Sequence, residues 1–364
     1  MTAAGTSTPV TANATASAIT ATGLRKSYGD KLVLDGIDLD IAEGTVFALL
    51  GPNGAGKTTT VEILSTLITA DAGEARVAGH DLTRAADAVR SSIGVTGQFS
   101  AVDALLTAEE NLLLMADLHH LDRREGKRRA AELLRRFELS EVAGKTTATF
   151  SGGMRRKLDL AMTLIGDPRV IFLDEPTTGL DPRSRRTMWD IIRGLVADDG
   201  VTIFLTTQYL DEADQLADRI AVLDHGRLIA EGTADELKQR IPGGHIRVRF
   251  ADAQNLDAAA GIFGIAARDE ESLTLRIPSD GTLPNLRAVL DTLETTAVRA
   301  ESLTVHTPDL DDVFLTLTGQ PRPAGTANTA NTTDTTDTTD TTDTTDTTDT
   351  TDTTDTTASS KENV

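Results

Sequence analysis

The stretch Gly51-Pro-Asn-Gly-Ala-Gly-Lys-Thr58 decides the fold of this chain, because its glycine, lysine and threonine spacing is that of a phosphate-binding loop. It lies between an apolar run, Val46–Leu50, and a segment of helical period, Thr59–Leu67. Glycines accept backbone angles that are closed to other residues, so successive N–H groups can face an anion at the positive end of a helix. The sequence therefore predicts a strand, a phosphate-binding loop and a helix.

Two side chains of this loop add chemistry that its backbone lacks. Lys57 brings a positive charge for the outer phosphates of a nucleotide, and Thr58 offers a hydroxyl oxygen to a magnesium ion. A glycine turn with a chance lysine is the alternative interpretation, and the complete octapeptide between a strand and a helix disfavours it. The predicted nucleotide contacts are Gly51, Pro52, Asn53, Gly54, Ala55, Gly56, Lys57, Thr58 and Thr59.

The composition limits the class of protein. The chain has 364 residues, enough for two domains, and a net charge of −21. Without the eight aspartates of a C-terminal repeat the net charge is still −13, which disfavours nucleic-acid binding as a primary role. The absence of cysteine excludes disulfides, thiolate nucleophiles and cysteine-based zinc sites. No apolar run approaches the roughly 20 residues that cross a bilayer, so we expect any role at a membrane to be peripheral.

Four segments are predicted along the chain. Residues 1–18 are rich in Thr, Ala and Ser, which predicts a disordered leader. Residues 19–240 form the main α/β domain, with a helical insertion at about 99–166 that opens on the capping box Thr107–Glu110. Residues 241–320 predict a small α+β domain, in which apolar residues alternate with arginines from Ile246 to Phe250. Residues 321–364 contain a Thr-Thr-Asp repeat, which predicts a disordered acidic tail.

Two carboxylates follow a strand that reads as fully buried. Val170–Leu173 are apolar, and Asp174 and Glu175 come directly after them. Ligands of open α/β sheets bind at the carboxyl ends of the strands. We therefore predict Asp174 in the coordination shell of magnesium and Glu175 as the general base that activates water. Asp181 lies in the loop beyond them, and Gln208 follows another predicted strand, Val201–Thr206, at the same edge.

A second anion site is indicated by Ser151-Gly-Gly153, which precedes a predicted helix, Arg156–Ile165. A chain with one phosphate-binding loop needs a second such site only if two copies pair head to tail around their nucleotides. An ordinary helix cap would have the same sequence. Tyr28, ahead of the loop, offers an aromatic face to an adenine, and packing is its alternative role.

Together these motifs resemble the nucleotide-binding subunits of ABC transporters across about Ile19–Arg240. The resemblance implies an α/β fold with a RecA-like core, an antiparallel β subdomain and a helical subdomain, and it implies ATP and Mg²⁺ as ligands. It gives Tyr28 the adenine contact and Gln98 a magnesium contact that also couples to the membrane partner. It further implies that Ser151, Gly152 and Gly153 complete the ATP site of the opposite subunit, and that Asp181 links the two sites.

Two positions depart from the usual pattern of that family. The signature usually reads Leu-Ser-Gly-Gly-Gln, whereas Phe150 and Met154 stand at its ends here. The switch position usually holds histidine, and here it is Gln208, which can donate a hydrogen bond to a phosphate but cannot carry a proton. Because Glu175 is present, we still expect hydrolysis, with Glu175, Lys57 and Gln208 as the catalytic residues; an amide at position 208 is compatible with slow turnover.

The segments that contain these departures, and Leu310–Gly319 near the end, resemble the daunorubicin-resistance ATP-binding subunits of actinomycete antibiotic exporters. This implies a homodimer on the cytoplasmic face of the cell membrane that powers drug export through a separate integral-membrane permease. Export of a lipid or polysaccharide is an alternative. A soluble ABC protein acting on ribosomes or DNA is another, which the single phosphate-binding loop and the lack of heptads disfavour. For the C-terminal domain, a regulatory or dimer-stabilising role and a passive cap remain open.

Overall fold

The computed structural model describes residues 16–98, 100–241, 244–264, 267–296 and 298–318. Most of the predicted leader and the whole Thr-Thr-Asp tail therefore lie outside the described residues. The first strand begins at Ser17, two residues inside the segment that we expected to be disordered. Ala18 explains the earlier start, because its side chain is buried in the core of the antiparallel sheet.

Fourteen strands and eleven α-helices are present within the described residues. The strands are β1 Ser17–Tyr28, β2 Lys31–Ala42, β3 Val46–Leu50, β4 Ala72–Val77, β5 His80–Asp81, β6 Ile93–Thr96, β7 Val170–Asp174, β8 Thr202–Thr207, β9 Arg219–Asp224, β10 Arg227–Gly232, β11 His245–Phe250, β12 Ala267–Asp269, β13 Thr274–Pro278 and β14 Ala300–His306. The helices are α1 Lys57–Leu64, α2 Ala86–Ser92, α3 Ala108–Leu118, α4 Arg123–Arg136, α5 Gly152–Thr163, α6 Pro182–Asp199, α7 Leu210–Leu216, α8 Ala234–Gln239, α9 Ala253–Phe263, α10 Leu283–Thr295 and α11 Leu310–Thr318.

The central sheet has the strand order β10-β9-β3-β8-β7-β6. Its strands run parallel except β10, which pairs antiparallel with β9. Every residue of β3, β7 and β8 is buried, as expected for parallel strands covered on both faces. Each face of the central sheet packs into its own hydrophobic core. In β3, Ala48 and Leu50 point into the core formed with the helices, whereas Phe47 and Leu49 point into the core formed with the antiparallel sheet.

Two further layers cover this sheet. The antiparallel sheet has the order β2-β1-β4-β5 and packs its apolar side chains against Phe47, Phe172 and Phe204 of the central strands. On the other face lie α3, α4 and α5, within the predicted helical insertion. The capping box of α3 is present as predicted: Thr107 accepts from the Glu110 N–H, and Glu110 accepts from the Thr107 N–H. The predicted RecA-like α/β fold with antiparallel and helical subdomains is confirmed.

Two predicted helix boundaries were wrong for the same physical reason. Helix α1 begins at Lys57 rather than Thr59, and α5 begins at Gly152 rather than Arg156. In each case the helix begins within the motif, at Lys57 of the phosphate-binding loop and at Gly152 of Ser151-Gly-Gly153. The cap residues are Gly56 and Ser151, so both motifs present the N–H groups of a helix start.

The C-terminal region contains a separate four-stranded sheet of order β12-β13-β11-β14, packed against α9 and α10. Ile246, Val248 and Phe250 point into its core, and the intervening Arg247 and Arg249 are exposed, as the alternation predicted. Its core is distinct from the two that flank the central sheet. This is the small α+β unit expected after residue 241.

Helix α11 does not join that core. Leu310 and Val313 are buried in the core shared by the central sheet and the helices, where α11 contacts α7 and α8. The C-terminal sheet is therefore tied to the main domain at both of its ends, through α8 before it and α11 after it. Among the helices of the described residues, none is long and apolar enough to cross a membrane.

This packing predicts that α11 stabilises the main domain. Leu310→Ala should lower the free energy of unfolding by about 2–5 kcal/mol, as is usual for a buried leucine, and it should do so in the main domain. The single tryptophan, Trp189, packs against the same core, so its fluorescence during urea unfolding reports that domain.

The matched control is Val289→Ala, which removes apolar volume from the separate core of the C-terminal sheet. In Val289→Ala, the urea transition measured by Trp189 fluorescence should be nearly the same as in the unmodified protein. An unaltered Trp189 transition in Leu310→Ala, or equal shifts in both variants, would show that α11 does not support the main domain.

Candidate nucleotide-binding site

The loop from Gly51 to Gly56 needs its glycines for space and for backbone angles. A Cβ on Gly51 would lie 2.3 Å from the carbonyl oxygen of Leu223. Gly54 and Gly56 have φ values of 82° and 113°, in the region that favours glycine. Gly56 also caps α1 and supplies no side-chain acceptor, so the first-turn N–H groups of the helix are left to an external anion. The glycines thus have the backbone angles and close packing that the sequence predicted, and the binding of an anion by the loop stays a prediction.

Lys57 is folded into this loop with only 5% of its surface exposed. Its Nζ donates to the carbonyl oxygens of Gly51 at 2.8 Å and Pro52 at 3.2 Å, and lies 3.6 Å from Glu175 Oε1. Burial lowers the pKa of Lys57, and the Glu175 carboxylate opposes that shift. Neutral carbonyls and one carboxylate only partly compensate a buried ammonium, so anionic phosphates would be favourable partners.

Asp174 joins the loop to two strands of the sheet. Its Oδ2 accepts a hydrogen bond of 2.9 Å from Thr58 Oγ1, and its Oδ1 accepts one from Thr206 Oγ1 at the end of β8. The carboxylate is buried, whereas Thr58 is exposed. Hydroxyl and carboxylate oxygens are the donors that Mg²⁺ prefers, and such sites use one or two protein ligands plus substrate phosphates. The residues present therefore fit a magnesium ion.

Glu175 has an unusual backbone conformation, with φ at 49°, which is strained for a residue with a side chain. Its N–H donates to Thr206 O at 3.1 Å and to Thr206 Oγ1 at 3.2 Å, and its Oε2 accepts from Thr178 Oγ1 at 3.2 Å. The conformation turns the chain sharply at the end of β7 and leaves the carboxylate beside Lys57.

The strand register brings the remaining edge residues into line. Leu50 pairs with Thr207, and Asp174 pairs with Thr206. The next residue of each strand, Gly51, Glu175 and Gln208, therefore lies at one edge of the sheet. Gln208 is half-buried there. The structure thus brings together the loop, both carboxylates and the switch position.

Ser151-Gly-Gly153 and Asp181 lie at the starts of α5 and α6. Ser151 Oγ accepts from the Met154 N–H at 3.2 Å, and Asp181 accepts from the Arg183 and Ser184 N–H groups at 3.0 Å. Hydrogen bonds from Ser184 hold the pKa of Asp181 below its usual value. A Cβ on Gly153 would lie 2.8 Å from Ser184 Oγ, so the two helix starts are in close contact.

Four predicted positions remain apart from the loop. Tyr28 is half-exposed at the end of β1, and Gln98 is exposed after β6. Across the residues that the structure describes, no hydrogen bond or ion pair connects the loop with Tyr28, Gln98, Ser151-Gly-Gly153 or Asp181.

Sequence reasoning missed two buried charged residues beneath this edge. Arg156, which was read only as a helix start, donates to backbone carbonyls at the end of β7. Glu212 has no exposed surface and accepts from Thr177 Oγ1 at 2.8 Å and Trp189 Nε1 at 3.1 Å. No local signal distinguishes either residue from the charged surface residues around it, because their partners are distant in sequence.

This sheet, loop and helical insertion define an ABC-type ATPase domain. The ABC transporter family model matches residues 34–178, and the model of the C-terminal domain of DrrA1-3-like ATP-binding proteins matches residues 232–318. The chain belongs to the family of ABC transporter ATP-binding subunits, within the group of daunorubicin-resistance ATP-binding proteins.

The similarity extends over most of the chain. The daunorubicin resistance ATP-binding protein DrrA3 of Streptomyces coeruleorubidus is 52% identical, covering 84% of this chain and 97% of the relative. The doxorubicin resistance ATP-binding protein DrrA of Mycobacterium tuberculosis is 44% identical, covering 84% and 94%. The Nod factor export ATP-binding protein I of Ralstonia nicotianae is 37% identical, covering 82% and 92%.

Solved structures agree on the fold. An ATP-binding subunit of an ABC transporter has a TM-score of 0.55 and 29% identity, covering 61% of this chain and 92% of that one. A dimeric ATP-binding cassette in a post-hydrolysis state, bound to ADP and Pi, has a TM-score of 0.54 and 27% identity, covering 59% and 98%.

The buried Glu212 predicts a pH-dependent stability. Burial raises the pKa of Glu212 above 4.5, so the native state binds its proton more tightly than the unfolded state does. The contribution of Glu212 to stability is therefore greatest at acid pH. It falls as the pH rises above 4.5 and passes through the pKa that Glu212 has in the folded protein. Glu212→Gln keeps the acceptor for Thr177 and Trp189 but does not ionise.

The Tm of Glu212→Gln relative to the unmodified protein should therefore increase from about pH 4.5 to about pH 8. The exposed Glu109→Gln is the control, and its Tm difference should change little over the same range. A constant difference for Glu212→Gln would contradict the assignment of a raised pKa.

Proposed function

We propose that this chain is the ATP-hydrolysing subunit of a drug exporter, working as a homodimer at the cytoplasmic face of the membrane with a separate integral-membrane permease. The observation that carries the proposal is the convergence of Lys57, Asp174 and Glu175 at the phosphate-binding loop. Export as the task is supported by relatives of 44% and 52% identity that are named as doxorubicin and daunorubicin resistance ATP-binding proteins.

The loop binds the phosphates of ATP. The uncapped N–H groups at the start of α1 face the phosphates. Lys57 gives up its hydrogen bonds to Gly51 O and Pro52 O and binds the phosphate oxygens instead. The exchange is favourable because phosphates neutralise a buried ammonium better than two carbonyls do. Exposed Tyr28 stacks on the adenine.

Thr58 and Asp174 hold the magnesium ion, with Gln98 as a further contact. When bound, the ion neutralises negative charge that develops on the phosphates during transfer. Asp174 is already oriented for this role, because Thr58 and Thr206 each donate a hydrogen bond to one of its oxygens.

Glu175 activates the attacking water as general base. Its strained backbone is held by Thr206, and its carboxylate is kept near Lys57, so its direction is set before ATP binds. Gln208, at the end of the neighbouring strand, donates a hydrogen bond to the γ-phosphate. An amide there does not titrate, so position 208 contributes no ionisation to the pH dependence of hydrolysis.

A second copy completes each site. The exposed Ser151-Gly-Gly153 motif, at the positive end of α5, covers the nucleotide of the partner, and Asp181 links the two sites. The close contact of Gly153 with Ser184 places the motif directly against the start of α6. A solved ATP-binding cassette that is dimeric and bound to ADP and Pi supports the pairing of two copies.

A second cargo class has an observation in its favour. Relatives named as Nod factor export ATP-binding proteins are 37–40% identical to this chain. The named drug-resistance proteins are 44–52% identical over a similar share of the chain, which favours drug export.

The proposal predicts that Lys57→Ala and Glu175→Gln each abolish export. Lys57→Ala should lose ATP binding, whereas Glu175→Gln should still bind ATP and hydrolyse it about 10²–10⁴ times more slowly, as is usual for loss of a general base. ATP binding and hydrolysis are measured on the full chain, and export is measured as anthracycline resistance of cells that express the chain together with its permease.

The controls are Lys127→Ala and Glu74→Gln, which alter exposed residues of the same types. Both should retain resistance and hydrolysis. Full resistance in Lys57→Ala or Glu175→Gln would refute the mechanism.

Purification from native membranes in mild detergent identifies the partner. An integral-membrane permease in near-equal amount supports the exporter, and its transport of anthracycline or lipid then decides the cargo. Recovery of ribosomes or nucleic-acid proteins without such a permease would overturn the export role and leave the ATPase assignment intact.

A further inference from the structure

Arg156 lies on α5, a few residues after Ser151-Gly-Gly153, and only 8% of its surface is exposed. Its Nε donates to Pro176 O at 2.9 Å, Nη1 donates to Gly97 O at 2.8 Å, and Nη2 donates to Asp174 O at 3.2 Å. Longer contacts of 3.4 Å join Nη1 to Asp159 Oδ2 and Nη2 to Glu175 O. A guanidinium has five N–H groups, and these are five contacts.

Three of the five acceptors are consecutive carbonyls around Glu175. Arg156 binds the oxygen of the peptide before Glu175, whose N–H is held in turn by Thr206. It also binds the oxygen of the peptide after Glu175. The two peptide planes that define the backbone angles of Glu175 are therefore both anchored, which is what a left-handed conformation at a non-glycine residue requires.

The remaining two contacts join Arg156 to the segment around Gln98, one directly and one through Asp159. Gly97 O accepts from Arg156, and the Ala101 N–H donates to Asp159 Oδ1 at 3.1 Å. Asp159 lies one turn further along α5, has 3% of its surface exposed, and pairs with Arg156. Both sides of Gln98 are thus tied to one buried ion pair that also holds Glu175.

We propose that Arg156 is a positioning residue for hydrolysis, which fixes the direction of the Glu175 carboxylate and couples it to the position of the Gln98 segment. The inference rests on the proposed role of Glu175 as general base. A planar, forked donor is required because its acceptors lie in three places: Gly97, Asp159 and the three consecutive carbonyls that begin at Asp174. Lysine has the same charge but three donors on one atom, so it cannot hold all of them.

The test is Arg156→Lys in the full chain, with kcat, KM, the Kd of a fluorescent ATP analogue and Tm measured together. We expect kcat to fall at least tenfold, while KM and Kd change less than about twofold, because the phosphate-binding loop is untouched. Lys157→Arg is the matched control: its side chain lies next along α5 and pairs with Glu138 at the surface. It should retain normal kcat.

A double-mutant cycle separates positioning from general loss of structure. If Arg156 acts through Glu175, then Arg156→Lys should not lower the residual kcat of Glu175→Gln further. An equal loss of kcat in both backgrounds, or a kcat within twofold of the unmodified protein, would overturn the inference. If Glu175→Gln itself leaves kcat unchanged, the proposed general base is wrong instead.

Asp159→Asn provides a second variant should Arg156→Lys not fold. The amide oxygen can still accept from Ala101, but the buried guanidinium loses its countercharge. We expect at least a threefold decrease in kcat with unchanged Kd, and no decrease in the Glu175→Gln background. A decrease that is the same in both backgrounds would again overturn the inference.

Discussion

The hydrogen-bond register of β3, β8 and β7 is the constraint on which the site depends. It sets Leu50 beside Thr207 and Asp174 beside Thr206, so the loop, the carboxylates and Gln208 leave the sheet at one edge. A slip of one residue would exchange the two faces of a strand, so side chains that fit one core would have to pack in the other, which is costly in a close-packed interior. The burial of these strands therefore fixes the site geometry as firmly as the hydrogen bonds within the site.

The sequence was sufficient where a function requires a local pattern. The loop octapeptide between a strand and a helix, the capping box of α3 and the buried strand at Val170–Leu173 were all predicted correctly, because their signals lie within a few consecutive residues. The carboxylates Asp174 and Glu175 were also expected at the carboxyl end of their strand, and the structure adds that Glu175 lies beside Lys57. The contacts of exposed Tyr28, Gln98 and Asp181 with a nucleotide stay predictions, since they depend on ligands and on a second copy.

What the sequence did not predict depends on contacts between distant segments. Arg156 stands among Arg155 and Lys157 and differs from them only by facing the interior. The same is true of Glu212, whose partners lie 35 and 23 residues away. Helix α11 was not predicted to leave the C-terminal unit, because its apolar stripe does not specify which core it joins. In each case the three-dimensional neighbours decide the role, and residue type alone does not.

The return of α11 to the main core has a consequence for the order in which the protein forms. The core around the central sheet includes Val46 near its beginning and Val313 near its end, with the C-terminal sheet inserted between α8 and α11. A ribosome delivers these residues in sequence, so the last part of this core becomes available only after the inserted sheet has been made. The α8 and α7 surfaces that α11 covers are exposed until then, which leaves a nascent ATPase domain with an apolar face open to a chaperone or to premature association.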